Sequence, residues 1–172
     1  MLFKLLLISI FFLSGCGYTT RGYQFKESKI RVKPVVNQIR VAREARRYSD
    51  YTSYPILIEE RLTNGLVAEF NIGSDLEVVS QLNDALELEC VITDYRRQTL
   101  SYTDSDDPKE QRLRLRVKMK LTDSEGAVVL ERDVVGQATF DLTDAADSET
   151  AAQNDLVEDT ARRIREAVVE LW

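Results

Sequence analysis

Hydrophobic residues in this chain recur with two distinct periods. Across residues 111–121, Leu113, Leu115, Val117, Met119 and Leu121 alternate with Arg112, Arg114, Arg116, Lys118 and Lys120. Strict alternation puts the two sets on opposite faces of a strand, because successive side chains of an extended chain point in opposite directions. Residues 86–95 read the same way, with Leu86, Leu88, Cys90 and Ile92 against Glu87, Glu89, Val91 and Thr93. So do residues 127–140, with Val128, Leu130 and Val134 against Glu131 and Asp133. Residues 122–126 (TDSEG) join the last two strands as a hairpin loop. Residues 29–36 form a first strand with Ile30 and Val32 on one face. Pro34 within it implies an edge position or an early end. Residues 76–80 form a short strand.

Two other stretches keep the helical period. At Ser53-Tyr54-Pro55 a capping hydroxyl and a proline open a helix, and Glu59 and Glu60 follow near the positive end of its dipole. Ile58, Leu62, Leu66 and Phe70 then make a buried stripe, and Asn71 and Gly73 end it. The second helix covers residues 148–171, with Val157, Ala161, Ile164, Val168 and Leu171 on one side. Its acids Asp155, Glu158 and Asp159 precede Arg162, Arg163 and Arg165, which suits the dipole and predicts the pairs Glu158–Arg162 and Asp159–Arg163. Between the clear elements, residues 37–53 read as a polar loop or a frayed extension of the first strand. Asp94-Tyr95-Arg96-Arg97 reads as a strand end opening a long polar connection through Asp104, Asp106, Asp107 and Pro108.

The order is therefore β, α, β, β, β, β, α. One arrangement buries every apolar face at once: an α/β (α+β) two-layer sandwich. Its two helices lie on one face of a mixed, largely antiparallel four- to five-stranded sheet, and the other sheet face stays polar.

The N-terminus follows a different logic. Residues 1–13 are short and apolar with one charge, Lys4, and run into Leu13-Ser14-Gly15-Cys16. That is the layout of a secretory signal, and the apolar run is shorter than the roughly 20 residues needed to span a bilayer. Leu-Ser-Gly-Cys resembles the lipobox of bacterial lipoproteins. The resemblance implies cleavage before Cys16, a diacylglycerol and an N-acyl chain on that residue, and a membrane attachment through lipid alone. Gly17, rather than Asp, follows the lipidated position, which implies sorting to the outer membrane. Residues 1–15 are then a signal peptide, 16–28 a lipidated tether, and 29–172 a single domain.

Composition narrows the function classes. Taking 15 residues from 172 leaves 157, enough for one domain with its own core. Only Lys4 is charged within the signal, so the formal charge moves from −6 to −7. A body this acidic is not steered to nucleic acid. The chain has two Cys and no His. With Cys16 lipidated, Cys90 is left as a small core residue without a disulfide partner. The commonest general base is missing, a Cys-rich zinc site cannot be built, and no nucleotide-binding or hydrolase motif occurs. The composition therefore points away from enzymes, cofactors and metals.

Two groups of residues are candidates for contact with a partner. Arg112, Arg114, Arg116, Lys118 and Lys120 place five cations about 7 Å apart on one sheet face. They read either as a solvated ladder neutralised by Glu87 and Glu89 on one side and Glu131 and Asp133 on the other, or as a surface for an anionic lipid or a protein wall. Tyr48, Tyr51 and Tyr54 recur every third residue behind Arg43, Arg46 and Arg47. These are residue types that anchor interfaces, or aromatics that pack locally.

Taken in order, the Cys16-Gly17-Tyr18 start, the Ile58-to-Phe70 helix, Val91-Ile-Thr-Asp-Tyr-Arg-Arg97, Leu100-Ser-Tyr102, the basic strand, the Gly126 hairpin, Gly136-Gln-Ala-Thr-Phe140 and the last helix to Trp172 resemble the LPS-assembly lipoprotein LptE family. The match lies in the order of elements more than in any one motif, and the Arg/Tyr-rich residues 37–54 are longer than the family's usual link. The resemblance implies a non-enzymatic protein on the periplasmic leaflet of the outer membrane, plugging the β-barrel LptD and assisting lipopolysaccharide on its way to the outer leaflet. The other reading is a different small outer-membrane lipoprotein serving a secretion channel or an envelope scaffold.

Overall fold

The computed structural model describes residues 27–39, 54–81, 84–144 and 148–171. The elements in chain order are β1 (Lys29–Val32), β2 (Val36–Asn37), α1 (Ile58–Gly73), β3 (Glu77–Val78), β4 (Leu86–Tyr102), β5 (Pro108–Thr122), β6 (Val128–Asp141) and α2 (Glu149–Val169). The sheet order is β3-β1-β4-β5-β6, with β2 pairing β4 beyond the end of β1. β1 runs parallel to β3 and β4, and β2 runs parallel to β4; the pairs β4/β5 and β5/β6 are antiparallel. The expected sandwich is present, with six strands rather than four or five.

The period-2 and period-3.6 stripes meet in one core. Leu113, Leu115, Val117, Met119 and Leu121 are all 0% exposed, as are Ile58, Leu62, Leu66 and Phe70. On α2 the stripe widens to Ala152, Leu156, Val157, Thr160, Ala161, Ile164, Ala167 and Val168. Burying large aliphatic side chains stabilises by about 1.5–3 kcal/mol each, so this single layer dominates the folding energy. The helices also touch each other. Gly65 brings α1 close enough that an added Cβ would meet Val157 Cγ1 at 3.4 Å and Ala161 Cβ at 3.5 Å. Arg165 ties the pair together, with Nε on Glu69 Oε2 at 3.0 Å and Nη1 on the Gly73 carbonyl at 3.0 Å at the end of α1. Cys90 is buried facing the helices, and burial pushes its thiol up to about 12. It is a core residue, as expected.

Several boundaries differ from the sequence reading, each for a local reason. The first strand breaks at Pro34 into β1 and β2. The early end is found; β1 is covered on its outer side by β3, whereas β2, after the proline, pairs only with β4 among the described strands and is an edge. Ser53 lies outside the described residues, and α1 begins one turn later than expected. Leu57 precedes it in the left-handed region (φ 58) with no side-chain cap, and the first helical bond runs from Arg61 N to Leu57 O. β4 does not stop at Tyr95. A bulge between Ile92 and Asp94 inserts one residue and shifts the alternation, so Tyr95 joins Ile92 on the buried face and the strand continues to Tyr102. The supposed long connection shrinks to residues 103–107, closed by Thr103 N to Asp107 O at 2.8 Å, with Asp106 at φ 63. At the other hairpin Gly126 takes φ 89, and Asp123 Oδ1 accepts from the amides of Glu125 and Ala127. A register shift there turns Val128 out, to 51% exposure, while Val134 is buried and Leu130 is partly buried.

α2 opens on Ser148, whose Oγ accepts from Ala151 N at 3.1 Å. Asp159 is the main tie between α2 and the sheet. Its carboxylate accepts from Arg163 Nε at 2.7 Å, from Arg162, and from the Gln137 backbone amide at 2.9 Å. The pair Asp159–Arg163 is as expected, while Arg162 bonds Asp159 rather than Glu158. Burial raises the Asp159 pKa, but the bonds from Arg163, Gln137 and Arg162 outweigh it and hold the group below the usual aspartate value of 3.8. A carboxylate depressed in the folded state contributes stability above its unfolded pKa and loses it as pH falls through the folded one. Asp159→Asn should therefore be clearly less stable than wild type at pH 7. The gap should close as urea titrations move below about pH 4. A gap independent of pH would mean the charge plays no part.

Candidate anion-contact face

The basic residues of β5 stand on the sheet face away from the helices, as their alternation requires. Their register partners are unequal. Lys120 lies between Glu89 and Glu131, Lys118 between Val91 and Asp133, and Arg116 between Asp94 and Val135. Arg114 lies between Arg96 and Gln137, and Arg112 between Gln98 and Thr139. Acids therefore line one end of the ladder only.

The ion pairs follow that division. Lys118 Nζ meets Glu131 Oε1 at 2.6 Å and Arg116 Nη1 meets Asp133 Oδ2 at 3.5 Å, both well exposed. The bond to Glu131 raises the Lys118 pKa, and the same bond lowers that of Glu131. The acids of β4 do not serve the ladder as expected. Glu87 turns toward β1, to Arg31 at 3.1 Å and Lys33 at 2.7 Å, and Lys33 also reaches Glu89 at 3.8 Å. At the other end no acid stands in register with Arg112 or Arg114. Arg96 donates to Asp94 Oδ2 at 2.7 Å and faces Arg114 directly across the sheet. Arg112 Nε is buried without a hydrogen-bond partner. Arg116 and Lys118 thus form a salt ladder, while Arg112, Arg114 and Arg96, the last bonded to Asp94, leave an excess of positive charge at the other end.

Arg96 is the residue that the sequence pattern missed. The bulge that sends it to this face has no hydrophobic signature, so it read as loop. Its neighbour Arg97 goes to the helix face, where it bonds Gln111 and Glu149 and its guanidinium lies 5.8 Å from the Phe140 ring centre. Tyr54 packs within the fold. Its hydroxyl donates to Glu59 Oε1 at 3.2 Å and its ring meets Tyr95 edge-on at 5.8 Å, which is local packing. Tyr48, Tyr51, Arg43, Arg46, Arg47 and Cys16 lie outside the described residues.

Among the described residues, no cluster of three or more His, Cys, Asp or Glu side chains could hold a metal ion. No helix among them is long and apolar enough to cross a membrane.

Fold and face define the class: a two-layer α/β module with its core sealed on one side of the sheet and a charged sheet face left open on the other. The particular family follows from the sequence. The model of the lipopolysaccharide-assembly family LptE matches residues 37–168, most of the chain, and the protein belongs to that family. It is a family of envelope lipoproteins that serve lipopolysaccharide assembly without catalysing a reaction. A comparison with curated protein sequences gave no match. Among solved structures, the chain is similar to an uncharacterized lipoprotein B from Nitrosomonas europaea, at a TM-score of 0.51 and 17% identity over 89% of this chain and 90% of that one. It is also similar to a hypothetical protein of Chlamydia trachomatis, at a TM-score of 0.51 and 9% identity over 84% and 95% of the two chains. Identities this low speak to the fold alone.

Proposed function

We propose that this protein is a lipid-anchored component of the lipopolysaccharide-export machinery of the outer membrane. In this reading residues 1–15 are removed, Cys16 carries the acyl chains, and residues 16–28 tether the domain to the periplasmic leaflet. The domain occupies the lumen of the barrel LptD and assists lipopolysaccharide insertion into the outer leaflet. The family match to residues 37–168 supports the process. The observation that carries the contact is the cationic end of the sheet face. Arg96 and Arg114 stand opposite each other, and the one acid beside them, Asp94, bonds Arg96, so the pair keeps an excess positive charge that a further anion would offset. Guanidinium groups bind phosphate through paired, charge-assisted hydrogen bonds, so the phosphates of lipopolysaccharide fit this patch in charge and in geometry.

Affinity purification of the full protein from detergent-solubilised outer membranes tests the assembly: one large β-barrel should come down in stoichiometric amount. Recovery of a secretion channel instead, or of no barrel, defeats the reading. Intact mass of the same material should begin at Cys16 and include the acyl chains.

The patch has its own test. Arg96→Glu with Arg114→Glu should weaken lipopolysaccharide binding by about tenfold or more, while stability changes by less than about 1 kcal/mol because exposed charges contribute little to folding. Arg116→Glu, whose charge Asp133 already offsets, should matter less. Equal loss from the double variant and from Arg116→Glu would place the contact along the whole ladder rather than at its end.

A further inference from the structure

β1 lies between β3 and β4, and the chain reaches it from the end of the sheet where β4 begins. Ser28 is tied to the β3 side, because its carbonyl accepts from the Glu77 amide at 2.9 Å. Glu27, one residue earlier, is tied to the opposite side. Its carboxylate reaches past the start of β4 to the β5–β6 loop, where it accepts from the Ser124 amide at 3.3 Å and from the Ser124 hydroxyl. The hydroxyl bond holds the Glu27 carboxyl below its ordinary value of 4.5, against burial and the charge of Asp123. The receiving loop is bonded within itself. Asp123 accepts from the amides of Glu125, Gly126 and Ala127, which leaves the Ser124 amide for Glu27. A hollow of about 360 Å³ lies between Glu27, Ser28, Lys29, Asp84 and Ser124, so the crossing is bridged by these bonds rather than by packing.

We infer that the Glu27–Ser124 contact is a latch that fixes where the N-terminal tether leaves the domain. A chain leaving β1 at this end has two ways out: outward past β3, or inward beneath the start of β4. The latch selects the second. Two donors of one residue on one carboxylate set a direction as well as a contact. The consequence concerns the cationic patch. Thr122 stands in register with Glu87 and Arg114 with Arg96, so the loop and the patch lie at opposite ends of the same strands. Ser124 and Arg114 are ten positions apart in sequence, which at about 3.3 Å per residue is about 33 Å. The next step rests on the lipid anchor of the proposed function. With Cys16 acylated, the latch turns the loop end of the sheet toward the anchoring leaflet and holds Arg96 and Arg114 away from it. A patch free to lie on that leaflet would be occupied by the phosphates of its headgroups. Held at about the thickness of a hydrocarbon core, it stays open to other anions.

The test uses the full acylated protein in phosphatidylcholine vesicles whose headgroups carry an acceptor dye. A donor dye is attached through Ala127→Cys, beside the loop, or through Gln98→Cys, beside the patch; Cys90 is buried and does not compete for it. Energy transfer should place the loop dye closer to the bilayer surface than the patch dye by about 20 Å or more. Glu27→Ala should shrink that gap to less than half. Glu27→Gln, whose side-chain oxygen still accepts both bonds, should keep most of it. Hydrogen exchange resolved by residue reads the latch directly. Glu27→Ala should speed exchange of the Ser124 amide by about tenfold. The amides of Glu125 and Ala127, bonded within the loop, should not respond. Unchanged exchange at Ser124 overturns the inference, because the latch is then not formed. A released Ser124 with an unchanged gap overturns it too, because the latch then does not set the exit. Absence of acyl mass on Cys16 defeats the proposed anchor instead, and Ser124 exchange still decides the latch.

Discussion

Gly136→Ala is expected to destabilise the protein by about 3 kcal/mol or more, the upper end of what overpacking costs. Gly136 sits on the helix face of β6, directly opposite Leu115, where α2 crosses the sheet. A Cβ placed there would lie 2.0 Å from Thr160 Oγ1 and 2.9 Å from both Thr160 Cβ and Thr160 Cα. A rotamer change could relieve the first contact. The last involves the helix backbone, so α2 itself would have to move. It cannot move freely, because Leu156, Ile164 and Val168 are fully buried on the same side and Asp159 bonds the Gln137 amide. Urea denaturation gives the cost directly. Thr160→Ala in the same chain should recover part of the loss by removing the oxygen, and only part, because Cα and Cβ stay. A cost under half a kcal/mol would show that the helix and strand are not held this close.

Leu115→Ala should cost about 2–5 kcal/mol, the range found when a buried leucine leaves a cavity. Leu115 is 0% exposed, near the middle of β5, with Tyr95 and Gly136 as its register partners. Strands on both sides and helices above leave little room for collapse, which favours the upper half of that range. A change below half a kcal/mol would mean that the apolar set of β5 faces outward and the arginines inward. Because Leu115 and Gly136 are opposite each other, the two substitutions should not add, and the double variant measures their coupling.

The contrast between β5 and β4 separates what could be read in advance from what could not. β5 keeps perfect alternation over eleven residues, and local geometry alone then fixes which side chains are buried. β4 starts the same way, but its alternation is broken by one inserted residue at Thr93. A bulge is stabilised by the pairing with β5, which lies some twenty residues away in sequence, so nothing near Thr93 announces it. The consequence is large for function: it sends Arg96 to the open face and Arg97 to the helix face, and the cationic patch depends on that choice.

The chain's own order of residues thus determined the two helices, the main strands, the placement of both helices on one face and the outward direction of the basic ladder. Each of these follows from a period that one segment carries by itself, with burial of apolar area as the driving force. Tertiary structure decided the rest. Whether a cation in the ladder is neutralised depends on strand register, and Glu87 faces Arg31 and Lys33 instead of the ladder because β1 inserts beside β4. Whether an edge is open depends on which strand comes last, and β6 does so only because β3 and β1 add to the opposite side. Charge pairing and edge exposure are properties of neighbours that the sequence separates by tens of residues, and only the folded sheet brings them into contact.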